Sequence, residues 1–198
     1  AVVLRSRIVV PLSGSEAAQA NAALAAATLN GLRVDAGETL SFNQTVGLRT
    51  SEAGYQAAEE PAYGQNVSGV GGGVCQVSTA LYRLALLGGL EIGERNAAVY
   101  PVDYCDVGQE AAVSDQGLDL KIVNSTGMPV FLTARVYADG DGKTMELQLI
   151  GLELDESYTL ASETETIAPP EEPIYVRDSE GRYAAYSDER IPVGEPMP

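Results

Sequence analysis

The chemistry this chain can offer concentrates in one stretch, Gly71-Gly72-Gly73-Val74-Cys75-Gln76-Val77-Ser78-Thr79. Three successive glycines permit a backbone path closed to other residues and let a partner approach closely. Apolar Val74, Val77, Leu81, Leu84 and Ala85 then recur at helical spacing, which predicts a helix over about 74–87 that starts almost at the cysteine. A helix N-terminus gathers unpaired N–H groups and positive dipole potential, conditions that favour a thiolate. The same N–H groups could hold an oxyanion during acyl transfer. Cys75 is therefore the nucleophile candidate, with Gln76 aiding an oxyanion site and an Asp or Glu orienting proton transfer. The plainer alternative is a small apolar residue filling space between Val74 and Val77, after a tight glycine connection.

What could assist that thiol is limited by composition. The chain has no histidine, so Ser-His-Asp triads and Cys-His dyads cannot be built from it alone. Two cysteines, Cys75 and Cys105, exclude a four-cysteine zinc site. They could instead form one disulfide, which would end any nucleophilic role for Cys75. No Gly-Lys-Ser/Thr follows the glycine run, so it is not a P-loop, and no dinucleotide fingerprint follows a βαβ unit. Asp139 and Asp141 lack the spacing and terminal Glu of an EF-hand and read as a hairpin turn. No metal site and no cofactor is expected. Arg49, Arg83 and Arg95 could each bind a carboxylate through a forked guanidinium, or serve as ordinary ion-pair partners in so acidic a protein.

That acidity is marked: 28 Asp and Glu against 12 Lys and Arg give a formal charge of −16 over 198 residues. Such a surface repels phosphate backbones and anionic headgroups, which argues against nucleic-acid partners. Apolar residues make up 45%, enough for a core. The longest apolar run, 84–90, is broken by Gly88 and Gly89, far short of the ~20 residues of a membrane span. Direct membrane insertion by this segment is not expected. The chain opens at Ala1, so an upstream signal or anchor is expected to be missing from it.

The elements that must position the cysteine can be read in order. Residues 2–10 are rich in β-branched side chains and read as a strand or extended lead-in. Ser13 and Glu16 fit a capping box before an Ala-rich helix at about 16–30, stopped by Gly31. A turn at 35–38 leads into a short strand, and residues 47–70 are polar, with weak helical periodicity at 55–60. After Glu91 the pattern turns to β, with strands expected at 97–104, 109–113, 118–123, 130–138 and 144–154. Asp139-Gly140-Asp141-Gly142 is a hairpin signal between the last two. The expected fold class is α+β, a helical N-terminal half followed by an antiparallel β meander, then a Pro/Glu-rich C-terminal tail. The expected division is a domain at 1–161, with its core at about 17–154, and a linker plus fragment of a following module at 162–198. Residues 174–176 and 183–186 would pair there as a small hairpin.

The stretch Gly71-Gly72-Gly73-Val74-Cys75-Gln76-Val77-Ser78-Thr79-Ala80-Leu81-Tyr82 closely resembles the signature of the VanW family, named from vancomycin-resistance gene clusters. Ala36-Gly37-Glu38-Thr39-Leu40-Ser41-Phe42-Asn43, Val46-Gly47, Arg49-Thr50 and Gly54-Tyr55 resemble its earlier blocks. Leu90-Glu91-Ile92, Glu94-Arg95 and Asp119-Leu120-Lys121 resemble its later ones. Family members carry a histidine-containing segment just after the Glu-Arg pair, and here that stretch reads Asn96-Ala97-Ala98-Val99-Tyr100. Either this chain is a non-catalytic member, or the cysteine needs no such base. A disulfide through Cys105 would be peculiar to this chain.

The resemblance implies an extracytoplasmic, envelope-associated bacterial domain, attached through the missing anchor or signal, with peptidoglycan or its precursors as the ligand class. The expected function is a non-catalytic wall-binding or accessory module, its cleft formed by Gly71, Gly72, Gly73, Gln76, Ser78, Tyr55 and Arg95. The alternative is a cysteine-dependent acyl transferase or hydrolase acting on wall peptides, with Cys75 as nucleophile. A third reading, a purely architectural spacer that positions neighbouring modules, ranks below binding.

Overall fold

A run rich in β-branched residues at the start of the chain favours extended backbone and makes β1 (Val2–Pro11), whose Ser6 and Ile8 turn inward while Arg7 and Val9 stay exposed. The computed structural model describes residues 1–62, 65–98, 102–140, 142–161, 163, 175–177 and 183–185. Helix α1 (Glu16–Leu29) is capped by Ser15, whose hydroxyl accepts the Ala18 N–H at 3.2 Å. The cap is therefore Ser15 rather than Ser13, because Ser13 is drawn away to Gln76 and Asp103. Two brief strands follow, β2 (Arg33–Val34) and β3 (Thr39–Ser41), and then the single-turn helix α2 (Phe42–Val46). Strands β4 (Ala57–Ala62) and β5 (Gln65–Val70) form a hairpin. The signature helix α3 (Cys75–Leu87) comes next, then β6 (Glu91–Glu94), β7 (Lys121–Val123), β8 (Val130–Asp139) and β9 (Gly142–Leu152). Beyond them β10 (Tyr175–Arg177) pairs with β11 (Tyr183–Ala185), as the sequence predicts, and the Pro/Glu-rich 169–173 stretch lies outside the described residues.

Among the described residues strands, not helices, dominate. The expected helical N-terminal half followed by a meander is thus incorrect. Among the described residues five strands precede α3, and the main sheet, in the order β1-β9-β8-β2, joins the first strands to two that follow α3. Val2 pairs with Leu152 and Pro11 with Thr144, so the first strand finds its ladder about 140 residues away. A second sheet, β3-β7-β6, is likewise assembled from distant pieces. Within the 55–60 stretch read as weakly helical, residues 57–60 belong to a β hairpin paired with β5, a pairing that the polar, Gly-punctuated sequence does not show locally. Residues 97–98, 102–104 and 109–113 form no strand, although two strands were expected there, and 99–101 lie outside the described residues. The hairpin at Asp139 is correct: β8 and β9 pair from Phe131–Ile150 to Asp139–Gly142.

The alanines of α1 allow close packing, and Ala22, Ala25, Ala26 and Leu29 meet the sheet's Leu132, Met145, Leu147 and Leu149. Packed beside α1, α3 contributes Val77, Leu81 and Leu84 to the same core. Ser6 donates its hydroxyl to the Leu84 carbonyl at 2.9 Å and Arg5 donates to Gly88 O at 2.6 Å, so β1 closes the C-terminal end of α3. Among the described residues no helix is long and apolar enough to cross a membrane.

One charge cluster crosses the main sheet. Glu146 is only 2% exposed, and its carboxylate accepts from Arg7 at 2.8 Å, from Arg135 at 2.9 Å and from Gln148 at 2.6 Å. The two guanidiniums hold its carboxyl down at about 2, well under the ordinary carboxylate range. A carboxyl with a depressed folded pKa stabilises fully above its unfolded value, and that contribution fades as pH falls from about 4.5 toward 2. Thermal unfolding of the wild type is therefore expected to lose midpoint between pH 5 and 2 more steeply than Glu146→Gln, which has no such proton to take up. Parallel curves for the two proteins would contradict the ion cluster.

Candidate functional site

The glycine run is a packing joint. Gly71 and Gly73 hold positive φ of 91° and 99°. A Cβ on Gly73 would meet the Ala18 carbonyl oxygen of α1 at 2.4 Å, and one on Gly71 would meet Arg49 Cβ at 2.7 Å. Gly72 lies against Ala58, and its carbonyl accepts from Asn21 Nδ2 at 2.9 Å. The buried Asn21 amide also donates to Gln56 O at 2.9 Å and accepts from Gln56 N at 2.8 Å, tying α1, the start of β4 and the glycine run together.

Helix α3 then begins at the cysteine, as the spacing predicts. Its cap residue Val74 gives no side-chain hydrogen bond. The N–H groups of Val74, Gln76 and Val77 are committed to the carbonyls of Gly71, Gly73 and Val74, so a tight turn takes up three of the donors at this helix start. Cys75 is half-buried, and its thiol donates to the Val113 carbonyl at 3.5 Å. Ser78, fully buried, donates to Ala111 O at 2.6 Å, while Thr79 Oγ1 accepts from Ala111 N at 3.0 Å. Gln76 accepts from Ser13 N at 2.8 Å and donates to Ser13 O at 3.2 Å. The first turns of α3 thus hold residues 111–113 on one side and the β1–α1 loop on another.

Cys75 and Cys105 are both thiols, with no disulfide between them. Tyr104 lies beside both sulfurs, and burial first, then these neighbours, raise its phenol above its ordinary pKa. Burial, helped by Glu110, pushes the Cys105 thiol up to about 11. Alkylation needs the thiolate, so Cys105 in the native protein should react with iodoacetamide at pH 8 about 100-fold more slowly than an ordinary thiol of pKa ~8.5. Mass-spectrometric mapping of labelled peptides would read this, and an ordinary rate at Cys105 would contradict its burial.

The three candidate arginines separate clearly. Arg49 is 7% exposed, pairs with Asp115 at 2.8 Å and donates to Asn43 Oδ1 at 2.8 Å. Tyr55 is buried near this pair; its hydroxyl has no hydrogen-bond partner among the described residues, and burial raises its pKa. Arg95 pairs with buried Glu110 at 2.9 Å, donates to Glu110 O at 2.7 Å and stacks over Tyr82 at 5.5 Å. Arg83 makes no ion pair among the described residues, and its Nε is sealed from solvent without a hydrogen-bond partner. Tyr55, Arg49 and the glycine run therefore lie together at one face of the joint. Gln76, Ser78, Arg83, Tyr104 and both thiols surround the first turns of α3, and Arg95 is tied to the same loop through Glu110. No three of His, Cys, Asp and Glu come together to hold a metal among the described residues.

A polar network escaped the sequence reading. Asp119, 7% exposed, accepts from Ser41 Oγ at 2.6 Å, Asn43 N at 2.9 Å and its neighbour Leu120 N at 2.8 Å. Asn96 donates to Asp119 O at 2.9 Å, and Glu94, which pairs with Lys121 at 2.7 Å, accepts from Asp119 N at 3.3 Å. Asn43 also donates to Leu118 O at 2.8 Å. The available signal was the set of short polar blocks, Ser41-Phe42-Asn43, Arg49, Glu94-Arg95-Asn96 and Asp119-Leu120-Lys121, whose meeting needs a register that sequence spacing does not supply.

Comparison with known proteins bears on the same blocks. The chain is 36% identical over 125 residues to the Bacillus subtilis (strain 168) protein YoaR, described as uncharacterized, covering 63% of this chain and 41% of that protein. It is also 36% identical over 111 residues to the vancomycin B-type resistance protein VanW of Enterococcus faecalis (strain ATCC 700802 / V583), covering 54% of this chain and 40% of that protein. The chain spans about two fifths of the length of these curated relatives. No solved structure matches it. The family profile described as VanW like protein matches residues 17–148, a span that runs from α1 into β9 and holds the glycine joint, α3 and the Asp119 network, and the chain belongs to the VanW family.

Proposed function

We propose that this domain is a non-catalytic module that binds the bacterial cell wall, with peptidoglycan or its precursors as ligand. The observation that carries the reading is the commitment of the α3 N-terminus: Cys75, Gln76, Ser78 and Thr79 each hold another segment's backbone in place. A thiol placed on a carbonyl, beside N–H groups already bonded, suits a joint better than a nucleophile. In this reading Gly71, Gly72, Gly73, Gln76, Ser78, Tyr55 and Arg95 frame the binding face rather than touch the ligand. The likeness to a vancomycin B-type resistance protein supports the wall as the ligand class. The domain works outside the cytoplasmic membrane, brought there by an upstream signal or anchor. Co-sedimentation with isolated, protein-free sacculi is the direct assay. Retention several-fold above an unrelated protein of similar negative charge is expected, and retention equal to that control would remove the proposal.

A further inference from the structure

The main sheet carries α1 and α3 on one face, and among the described residues no element packs on the other. An antiparallel sheet with one face in water ordinarily turns polar side chains outward there. Here the outward positions include Val2, Leu4 and Val9 of β1, Phe131 and Tyr137 of β8 and Leu152 of β9, all between 37% and 68% exposed. Half of the large hydrophobic side chains exposed among the described residues thus lie on this one face. Strand register gathers four of them around Ile150. Leu4 and Phe131 flank Ile150 in one row, and Val2 beside Leu152 forms the next. Directly opposed side chains stand ~5 Å apart, so this end of the face is a continuous apolar patch, the kind that marks an interaction surface.

The charge of the face selects its partner. Beyond the patch Arg7 and Arg135 share Glu146, Arg33 pairs with Asp35, and Asp139 accepts from Thr144. Three arginines therefore stand against three carboxylates, and the chain's whole excess of acidic over basic residues lies elsewhere. A polyanion finds no net positive charge here, and a basic partner finds no net negative charge. A second copy of this chain is repelled by the acidic excess on the rest of the surface and can approach at this neutral face. Its size sets the strength of the contact. Strands β1, β8 and β9 are 10, 10 and 11 residues long. At ~3.3 Å per residue and ~4.8 Å between strands, the three cover ~500 Å². Two such faces bury ~1,000 Å² in total, at the low end for a specific interface and well short of an obligate dimer.

We infer that the outer face of the main sheet is the contact of a reversible, two-fold homodimer. An axis running along the strands keeps the two apolar ends together and sets Leu4 of one copy over the partner's Phe131. Sheets packed face to face lie ~10 Å apart, so α1 and α3 form the outer layer on both sides. The contact uses none of the glycine joint or the first turns of α3, so it does not depend on what the domain binds.

Sedimentation velocity of the full chain is the test, run from ~5 to ~500 µM, the range over which so small an interface should dissociate. The wild type should pass from monomer to dimer across that range. Because the two copies repel, more dimer is expected at ~150 mM salt than at ~10 mM, where the Debye length is ~30 Å rather than ~8 Å. Leu4→Glu and Phe131→Glu should each weaken association about 10-fold or more. Leu48→Glu, at a residue that is also exposed but lies outside the sheet, should leave it unchanged. Unchanged thermal midpoints show that the variants fold. Concentration-dependent ¹⁵N NMR shifts of the wild type, which need no substitution, should centre on β1, β8 and β9. A wild type that stays monomeric throughout, association that weakens with salt, shifts centred elsewhere, or equal association of wild type and Leu4→Glu overturns the dimer.

Discussion

Gly73→Ala is expected to destabilise the domain by about 3 kcal/mol or more, lowering the thermal midpoint by roughly 10 °C. Two costs combine. The φ of 99° lies where an L-residue is strained by about 1–3 kcal/mol. The new Cβ would also stand 2.4 Å from the carbonyl oxygen of Ala18, which is helix backbone and cannot swing aside as a side chain would. Moving α1 to make room pulls Asn21 from Gly72 O and from both Gln56 backbone groups. Gly108→Ala is the matched control: its φ of 87° is similarly strained, but its Cβ would meet nothing within 4 Å. The control should lose only the backbone term, about 1–2 kcal/mol. Equal losses in urea unfolding would show that α1 does not press on the glycine run.

Asp119→Ala should cost about 3–5 kcal/mol, as removal of one partner from a buried charged network does. Its carboxylate is the shared acceptor for Ser41 Oγ, Asn43 N and Leu120 N, and alanine leaves all three donors facing a site with little access to water. Ser41 also caps α2 by accepting from Gln44 N at 3.1 Å, so its reorientation loosens that helix start as well. Asp119→Asn retains one carbonyl acceptor and should lose less. Equilibrium denaturation with far-UV circular dichroism reads both, and an Asp119→Ala midpoint near wild type would mean that the β3–β7 junction is held by apolar packing alone.

These two sites show what the sequence makes legible. Helices α1 and α3 are visible because an Ala-rich run and a 3–4 apolar spacing are local, and the β8–β9 hairpin because its turn chemistry is local. The 10-residue β1 is visible as a strand, but not its partner β9, which lies about 140 residues further along the chain. Strands of two or three residues such as β2, β3 and β7 are too short to show a period of two. Their pairing depends on side chains such as Asp119, whose partners Ser41 and Asn43 are 78 and 76 residues away. That is why two helices and a run of later strands suggested a helical half and a meander, when strands from before and after α3 share one sheet. The cysteine's place at the helix tip could be read from glycine and periodicity alone. Its commitment to Val113 could not, since residues 109–113 resemble a strand and instead lie tethered along α3. Arg49, Arg83 and Arg95 are chemically identical on paper; only the fold gives two of them internal carboxylates.

In the proposed function Cys75 is part of a joint and the domain holds the wall without covalent chemistry. Co-sedimentation of wild type and Cys75→Ser with the same isolated sacculi, with soluble muropeptides monitored in parallel, tests it most directly. A serine hydroxyl can also donate to the Val113 carbonyl, so the account predicts equal retention and no change in released peptides for either protein. Release or transfer of wall peptide by the wild type that vanishes in Cys75→Ser would contradict it.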